Sequence, residues 1–394
     1  QELDQIRDDW NKLIKSCSEN SSIFLTYEWI SIRWQHFHSN CRLNIVVMVR
    51  DGNVIGIFPL MRKVHSIWFV KFEILETIGA VNGNYVGLFK NEETKDVIGA
   101  FFSYIYDELV QNNTPIKLEL VPDDCAFCRL LYSTLPQFSH RLSHDETTAT
   151  IAPYIPINSS WGEYYRALTR NRRKIIHKII NRSNTRHQIR YRQFAQSDLD
   201  KGLNKLFEIH QKRWQSVNIN SPFVYSDFRE YYKNISATFQ NKDWLHFSYL
   251  TVDGEIKSTA FSYIYNDKFY AATIARDPAC SALGLGHLHN YYLIQESFSR
   301  NLKEYDFLRG DEAYKFHWTK HFRRYNNIIL AKYSILSNLH ILYLKAFLRL
   351  AGIIQNKHSL KEAIALIRYS IKNKKLQKKM FLNSIIKNEK EQKE

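Results

Sequence analysis

The sequence predicts an α/β chain of the α+β kind, in which one plan is used twice: helices first, then a mixed, largely antiparallel sheet flanked by helices. Three observations carry this. The pattern Leu43–Val49, Asp51-Gly52-Asn53, Val54–Leu60 recurs as Trp244–Val252, Asp253-Gly254, Ile256–Ile264. Asp-Gly readily takes the positive φ angles of tight hairpin turns, so both stretches read as hairpins. Helical periodicity precedes the hairpin in each half, and Asn266-Asp267 extends the second hairpin into a meander through Lys268–Ile274. A divergent duplication accounts for all three. It gives an N-terminal domain over 1–150, a C-terminal domain over 151–330 and a basic helical tail over 331–394.

The elements follow in order. Leu3, Ile6, Trp10, Leu13, Ile14 and Cys17 recur at helical spacing and predict an amphipathic first helix. A second helix runs through Trp29, Ile32 and Phe37, ahead of the first hairpin. Ile116–Val121 reads as a strand. Ser143–Pro156 mixes Ser, Thr, Asp and Pro as linkers do, and is expected to join the halves. In the second half, helical patterns cover Arg166–Arg192 and Leu206–Trp214. After the meander come a glycine turn, a helix over Leu288–Arg300 and a strand over Glu304–Leu308. The tail, 332–394, holds 14 Lys/Arg against 4 Glu. Ile328–Ile354 is apolar but broken by Lys332, Lys345 and Arg349, short of the ~20 residues of a membrane span. Amphipathic helices are expected there, packed on the body or lying on an anionic membrane.

Length and composition bound the function. A chain of 394 residues, 44% hydrophobic, with 24 Tyr, 24 Phe and 8 Trp, can fill two cores. A net charge of +16 suits an anionic partner: a phosphate-bearing donor, nucleic acid or an acidic membrane. Nucleic acid is disfavoured, because no helix-turn-helix, zinc or RNA-recognition signature is present. Five scattered cysteines make no disulfide framework. Cys125-Ala-Phe-Cys128 lacks a second pair, so no metal is expected, and a redox role would need a βαβ context that the sequence does not display. The N-terminus opens polar and acidic without the apolar core of a secretory leader, so a cytoplasmic location is expected, with peripheral membrane contact through the tail.

Several clusters can carry chemistry. In Tyr305–Trp318 a strand breaks at Gly310, and Asp311, Glu312, Tyr314, Lys315 and His317 follow. Two carboxylates beside a lysine can shift each other's protonation, although the same density also suits a polar turn. Gly284 and Gly286, between strand and helix, fit either a simple turn or an anion site at a helix N-terminus. Arg166–Arg192 holds ten basic residues and no acid, with Arg170, Lys174 and Lys178 in one stripe and Ile175, Ile176, Ile179 and Ile180 on the buried side. A solvated helix face normally mixes signs, so a polyanionic ligand is one reading. His210, Arg213 and Trp214 fall within one helical turn. A helical histidine is a structural hydrogen-bonder or a general base.

Together, Leu168–Lys174, the helix with His210, Arg213 and Trp214, the meander, the glycine turn and Asp306–Lys315 resemble the CelD/BcsL-type acyltransferases, a branch of the GNAT superfamily. The resemblance implies tandem GNAT-like domains, an architecture shared with the Fem-type aminoacyltransferases of peptidoglycan synthesis. It implies transfer of an acyl group from acetyl-CoA or another acyl-CoA to an amine or hydroxyl of a sugar, lipid or polysaccharide-related acceptor. Ser281, Leu283, Gly284, Leu285, Gly286 and Arg309 would then hold the donor. Ser281 stands where the superfamily's pyrophosphate motif has Arg or Gln. Asp311 or Glu312 would serve as base, with His210 in reserve and Tyr314 as proton donor to the leaving thiol. Arg170, Lys174, Arg213, Trp214 and Lys315 would bind the substrate. A Fem-type aminoacyltransferase, or a GNAT-fold protein that binds membrane or nucleic acid without catalysis, are the alternatives.

Overall fold

The computed structural model describes residues 3–17, 22–67, 70–79, 86–90, 93–138, 141–184 and 187–332; of the helical tail expected over 331–394, Ala331 and Lys332 instead end a strand, and the rest lies outside the described residues. A short 3-10 turn, Leu3–Ile6, leads into α1 (Arg7–Ser16), whose Trp10, Leu13 and Ile14 are buried as their spacing requires. Thr26 caps α2 (Tyr27–Phe37) by accepting a hydrogen bond from Trp29 N. Then β1 (Cys41–Arg50) and β2 (Asn53–Ile67) pair antiparallel across Asp51 and Gly52, both at positive φ. β3 (Val70–Thr77) continues the meander, and β4 (Leu88–Phe89) pairs with β2. The helix α3 (Thr94–Val110) crosses over to β5 (Ile116–Pro122), which lies parallel to β3. α4 (Ala126–Thr134) and β6 (Leu142–Pro156) close this half.

The second half opens with α5 (Trp161–Ala167), started by a Ser160–Glu163 capping box, then α6 (Arg170–Asn184) and β7 (Ile189–Gln193). From there it repeats the first. α7 (Leu199–Gln215) and α8 (Ser226–Gln240) precede the meander β8 (Leu245–Val252), β9 (Glu255–Tyr265) and β10 (Lys268–Arg276). α9 (Leu285–Ser299) crosses over to β11 (Glu304–Asp306), parallel to β10, and β12 (Phe322–Lys332) ends the described chain. Two helices, three antiparallel strands, a crossover helix and a parallel strand therefore occur twice. This is the mixed tandem GNAT-like plan expected from the sequence.

The halves exchange their last strands. The sheet order is β1-β2-β3-β5-β12-β6-β11-β10-β9-β8-β7. β12, from the second half, lies beside β5 of the first, and β6, from the first, lies beside β11 of the second. Ile328 and Leu330 of β12 are buried with Phe101, Ile116 and Leu118 in the first half's core. The helices cross the other way: Trp10, Phe24 and Trp29 pack with Phe239, Tyr263 and Tyr270 in one core shared by both halves.

Two expectations are corrected. Ser143–Pro156 is not a linker but most of the 15-residue strand β6 at the centre of the sheet. Its Thr147, Thr148, Thr150 and Ile151 are β-branched and suit a pleated surface despite their polarity. On α6, Ile176 is buried but Ile175 is 38% exposed, so the apolar side is narrower than its four isoleucines suggested. No described helix is long and apolar enough to cross a membrane.

Candidate functional site

The site begins where two parallel strands part. β10 and β11 pair only over Lys268–Tyr270 with Glu304–Asp306. β10 then continues along β9 to Arg276, while the chain after Asp306 swings toward β6. There Phe307 N donates to Pro153 O (3.0 Å) and Gly310 N to Ile151 O (2.8 Å). Strands joined at one end and separated at the other leave an opening on the carboxyl side of the sheet, where α/β sheets place ligands.

One wall is the glycine turn. Asp277 starts the 3-10 segment Pro278–Leu283, which carries Ser281, and Gly284 ends it at φ 64 while opening α9. That left-handed angle, which non-glycine residues resist, is why glycine stands at 284. Leu285, expected beside the donor, is buried in packing with Leu250, Val252 and Leu288. His287 N and Leu288 N already donate to Gly284 O (2.9 and 3.1 Å), so the N–H groups of Leu285 and Gly286 are the ones left without an intrahelical acceptor, at the positive end of the helix dipole. Gly286 differs from Gly284. A Cβ there would stand 3.5 Å from Arg276 Cδ and 3.7 Å from its Nη1, in ordinary contact. The missing side chain leaves open surface under a guanidinium.

The second wall is cationic. Arg276 is half-buried, and burial followed by the neighbouring Arg213 charge pushes its pKa down. Among the described residues neither guanidinium has a carboxylate partner; Arg213 contacts Ser216 Oγ at 3.4 Å. The His287 ring lies 6.0 Å from Tyr314, edge-on, and 5.9 Å from His317, stacked. Burial, then His317 and Arg276, lower the His287 pKa. Half-buried like charges without a counter-ion are unfavourable unless an anion completes them. α6 packs beside this wall, with Ile180 against Leu283, Leu285 and Leu288. Arg170, Lys174 and Lys178 lie on its exposed face, while the Arg182 side chain and Arg186 are outside the described residues.

The third wall is the loop after β11. Gly310 has φ 121, and a Cβ there would fall 2.2 Å from Glu312 Oε2, so glycine lets the Glu312 carboxylate fold back over the turn. That carboxylate sits 3.0 Å from Lys315 Nζ. Lys315, expected to bind an anionic ligand, points inward instead. It is 3% exposed, and Nζ donates to Leu308 O (3.1 Å) and Arg309 O (2.8 Å). Its ammonium fastens the loop that carries Arg309. Asp311 is exposed and has no hydrogen bond or ion pair with a described residue. Burial raises the Tyr314 pKa, and its electrostatic contacts with Glu312 and Arg276 join the loop to the cationic wall.

His210 is engaged on both sides. Trp214 Nε1 donates to its Nε2 (2.8 Å), which fixes the proton on Nδ1, and Nδ1 donates to Ser221 Oγ (2.8 Å). Burial lowers its pKa to about 3. The ring is a neutral hydrogen-bonder between α7 and the turn before α8, and its lone pair is already used. The same bond commits the Trp214 indole to α7. Arg276 and His287 were not among the expected site residues, and His317 was counted only with the loop after β11, because no periodicity joins the end of β10, the start of α9 and the end of that loop; only the fold does.

Residues 170–316 match the family model of the acetyltransferase (GNAT) domain, a span that holds every candidate residue from Arg170 to Lys315. No curated protein matches the chain. Among solved structures, it is similar to the crystal structure of FemX, with TM-score 0.61 and 12% identity, covering 85% of this chain and 98% of that one. A conserved protein of unknown function from Bacteroides thetaiotaomicron gives TM-score 0.53 and 14% identity, covering 83% and 97%. The C-terminal domain of a putative lysylphosphatidylglycerol synthetase from Agrobacterium fabrum gives 0.50 and 8%, covering 86% and 95%. At these identities the likeness is one of fold.

Proposed function

We propose that the chain is an acyltransferase of the CelD/BcsL type, which moves an acetyl or other acyl group from acyl-CoA to an amine or hydroxyl of a glycan or lipid acceptor. One observation carries this: Arg276, close enough to Arg213 to feel its charge and without a carboxylate partner among the described residues, stands beside Gly286 at the N-terminus of α9, by the opening between β10 and β11. A pyrophosphate fits those charges and N–H groups, and the acyl arm would then run into the opening.

In this reading the acceptor attacks the thioester carbonyl carbon, the carbonyl electrons move onto oxygen, and collapse expels the CoA thiolate. Positioning supplies most of the rate, and proton transfer adds about 10²–10⁴. Asp311 takes the acceptor's proton, because its carboxylate has no other described partner while Glu312 is held by Lys315. Tyr314 protonates the thiolate. Arg309 and the α6 stripe of Arg170 and Lys174 bind remaining anionic groups. The cytoplasm, where acyl-CoA is found, is the proposed compartment, with the basic tail as a peripheral membrane contact.

The second reading is Fem-type aminoacyl transfer, supported by the near-complete overlay on FemX and by Ser281 in place of the usual Arg or Gln. Titrating the protein with acetyl-CoA and with free CoA tests the choice by thermal shift. Both should stabilise the wild type, and Arg276→Gln should weaken binding at least tenfold. If neither ligand stabilises the wild type, the acyl-CoA reading falls and the aminoacyl reading takes its place.

A further inference from the structure

We propose that Cys125 and Cys128 form a redox-active dithiol, in which Cys125 attacks low-molecular-weight disulfides and Cys128 resolves the product into an intramolecular disulfide. The βαβ context missing from the sequence reading is present, since β3, α3 and β5 form such a unit and the cysteines open the helix that follows β5. Cys125 is the N-cap of α4, and its sulfur accepts from Cys128 N at 3.4 Å. A thiolate at a helix N-terminus is favoured by the helix dipole. One turn on, Cys128 is fully buried and its thiol donates to Pro122 O at 3.2 Å. Helical residues three apart have Cβ atoms ~5–6 Å apart, and modest movement brings them within disulfide reach. The pair thus joins a half-buried cysteine to a fully buried one, the asymmetry that attack and resolution require.

The other thiols make the contrast. Burial pushes the Cys17 thiol up to about 11, and burial also raises Cys41 and Cys280. Cys125 moves the other way, through the nearby Cys128 side chain and then the backbone N–H groups of Cys128 and Phe127, which together outweigh its burial. Cys128 is raised, first by the Cys125 side chain, and the Tyr132 hydroxyl and Glu146 carboxylate lie close enough to act on it. Metal binding gains no support, because the described residues hold no group of three ligating side chains.

The chemistry balances without a cofactor. Cys125 thiolate attacks one sulfur of RSSR, the new S–S bond forms as the old one breaks, and RS⁻ leaves and is protonated. Cys128, losing its proton to Glu146 or water, attacks Cys125 Sγ and expels the second RS⁻. The protein loses two electrons and two protons, and RSSR becomes two RSH.

The test uses the full chain, reduced and then incubated with glutathione disulfide, quenched with acid, alkylated and read by peptide mass spectrometry. The Cys125–Cys128 peptide should lose two hydrogens at least tenfold faster than Cys41 or Cys280 reacts, and dithiothreitol should reverse it. Cys128→Ser should trap one glutathionyl group on Cys125. Cys125→Ser, which keeps a capping oxygen, should leave Cys128 reduced. Oxidation of Cys125 no faster than of Cys41 and Cys280, or no mixed disulfide in Cys128→Ser, would overturn the assignment.

Discussion

Buried histidines give the residue scale its clearest consequence. His289 is fully buried, bonded to Ser248 and Ser258 (2.9 Å each), and burial followed by His246 lowers its pKa to about 3. His210 is lowered to about 3 as well. For a group depressed in the folded state, stability is complete above the unfolded pKa of 6.5 and is lost as pH falls toward 3. Unfolding free energy should therefore decline between pH 6.5 and 5, by up to ~1.4 kcal/mol per pH unit for His289. Glu296 acts in a lower window. Burial alone would raise it, but His246, Tyr191 and Arg300 bring it to about 2, so its contribution is lost below about pH 4.5. Denaturant titrations at pH 7, 6 and 5 should show the decline, and His289→Gln should reduce it to the share that His210 leaves. A flat wild-type profile across that range would contradict neutral, buried rings. The loop residues separate in the same manner. Asp311→Asn should cut turnover at least tenfold with an unchanged melting temperature, as expected of an exposed base. Lys315→Ala should cost about 2–4 kcal/mol of stability, because it leaves buried carbonyls without their donor. Near-wild-type turnover in Asp311→Asn would remove it from the mechanism.

At the scale of elements, the two glycines of the turn have different jobs. Gly284 supplies a left-handed φ, and Gly286 leaves the helix backbone bare beside Arg276. Gly284→Val should therefore lower stability by about 1–2 kcal/mol through backbone strain alone. Gly286→Val should leave the melting temperature near wild type and abolish stabilisation by CoA. Equal loss of stability in both variants would make the turn structural. These elements also show how far the sequence could be read. Both Asp-Gly hairpins, the meander, α7 and α9 were legible, because turn chemistry and apolar periodicity are local signals. β6 was not, since its threonines and acids read as a linker until β11 and β12, two strands of the second half, pair on either side of it. The grouping around Arg276 was hidden for the opposite reason. Arg213 and His317 were singled out separately, Arg276 and His287 are ordinary in their own segments, and the four come together only where β10 and β11 part. Lys315 carried a misleading signal, because a lysine near carboxylates looks like a ligand site until its burial and its carbonyl partners are seen.

At the scale of the whole molecule, the exchanged strands make each half depend on the other. Without β12, the first half would expose the backbone edge of β5 and lose Ile328 and Leu330, both essentially fully buried, from its core. Without α1, α2 and the turn Ile23–Leu25 between them, the second half would uncover Phe239, Tyr263 and Tyr270, which pack on Phe24 and Trp29. Deleting large buried side chains costs about 2–5 kcal/mol each, while a typical domain is stable by only about 5–15 kcal/mol. Loss of a whole strand or helix pair therefore exceeds the margin of either half. A cut after residue 156 should yield fragments 1–156 and 157–394 that are each unfolded or insoluble when expressed alone. Co-expression should restore a complex, because β6 can still add to β11 and β12 to β5 without covalent connection. Circular dichroism melts of the intact chain should accordingly show one transition. A cooperative melt from isolated 1–156 would show that the first half closes its own core, and the exchange would then be a matter of topology rather than of stability.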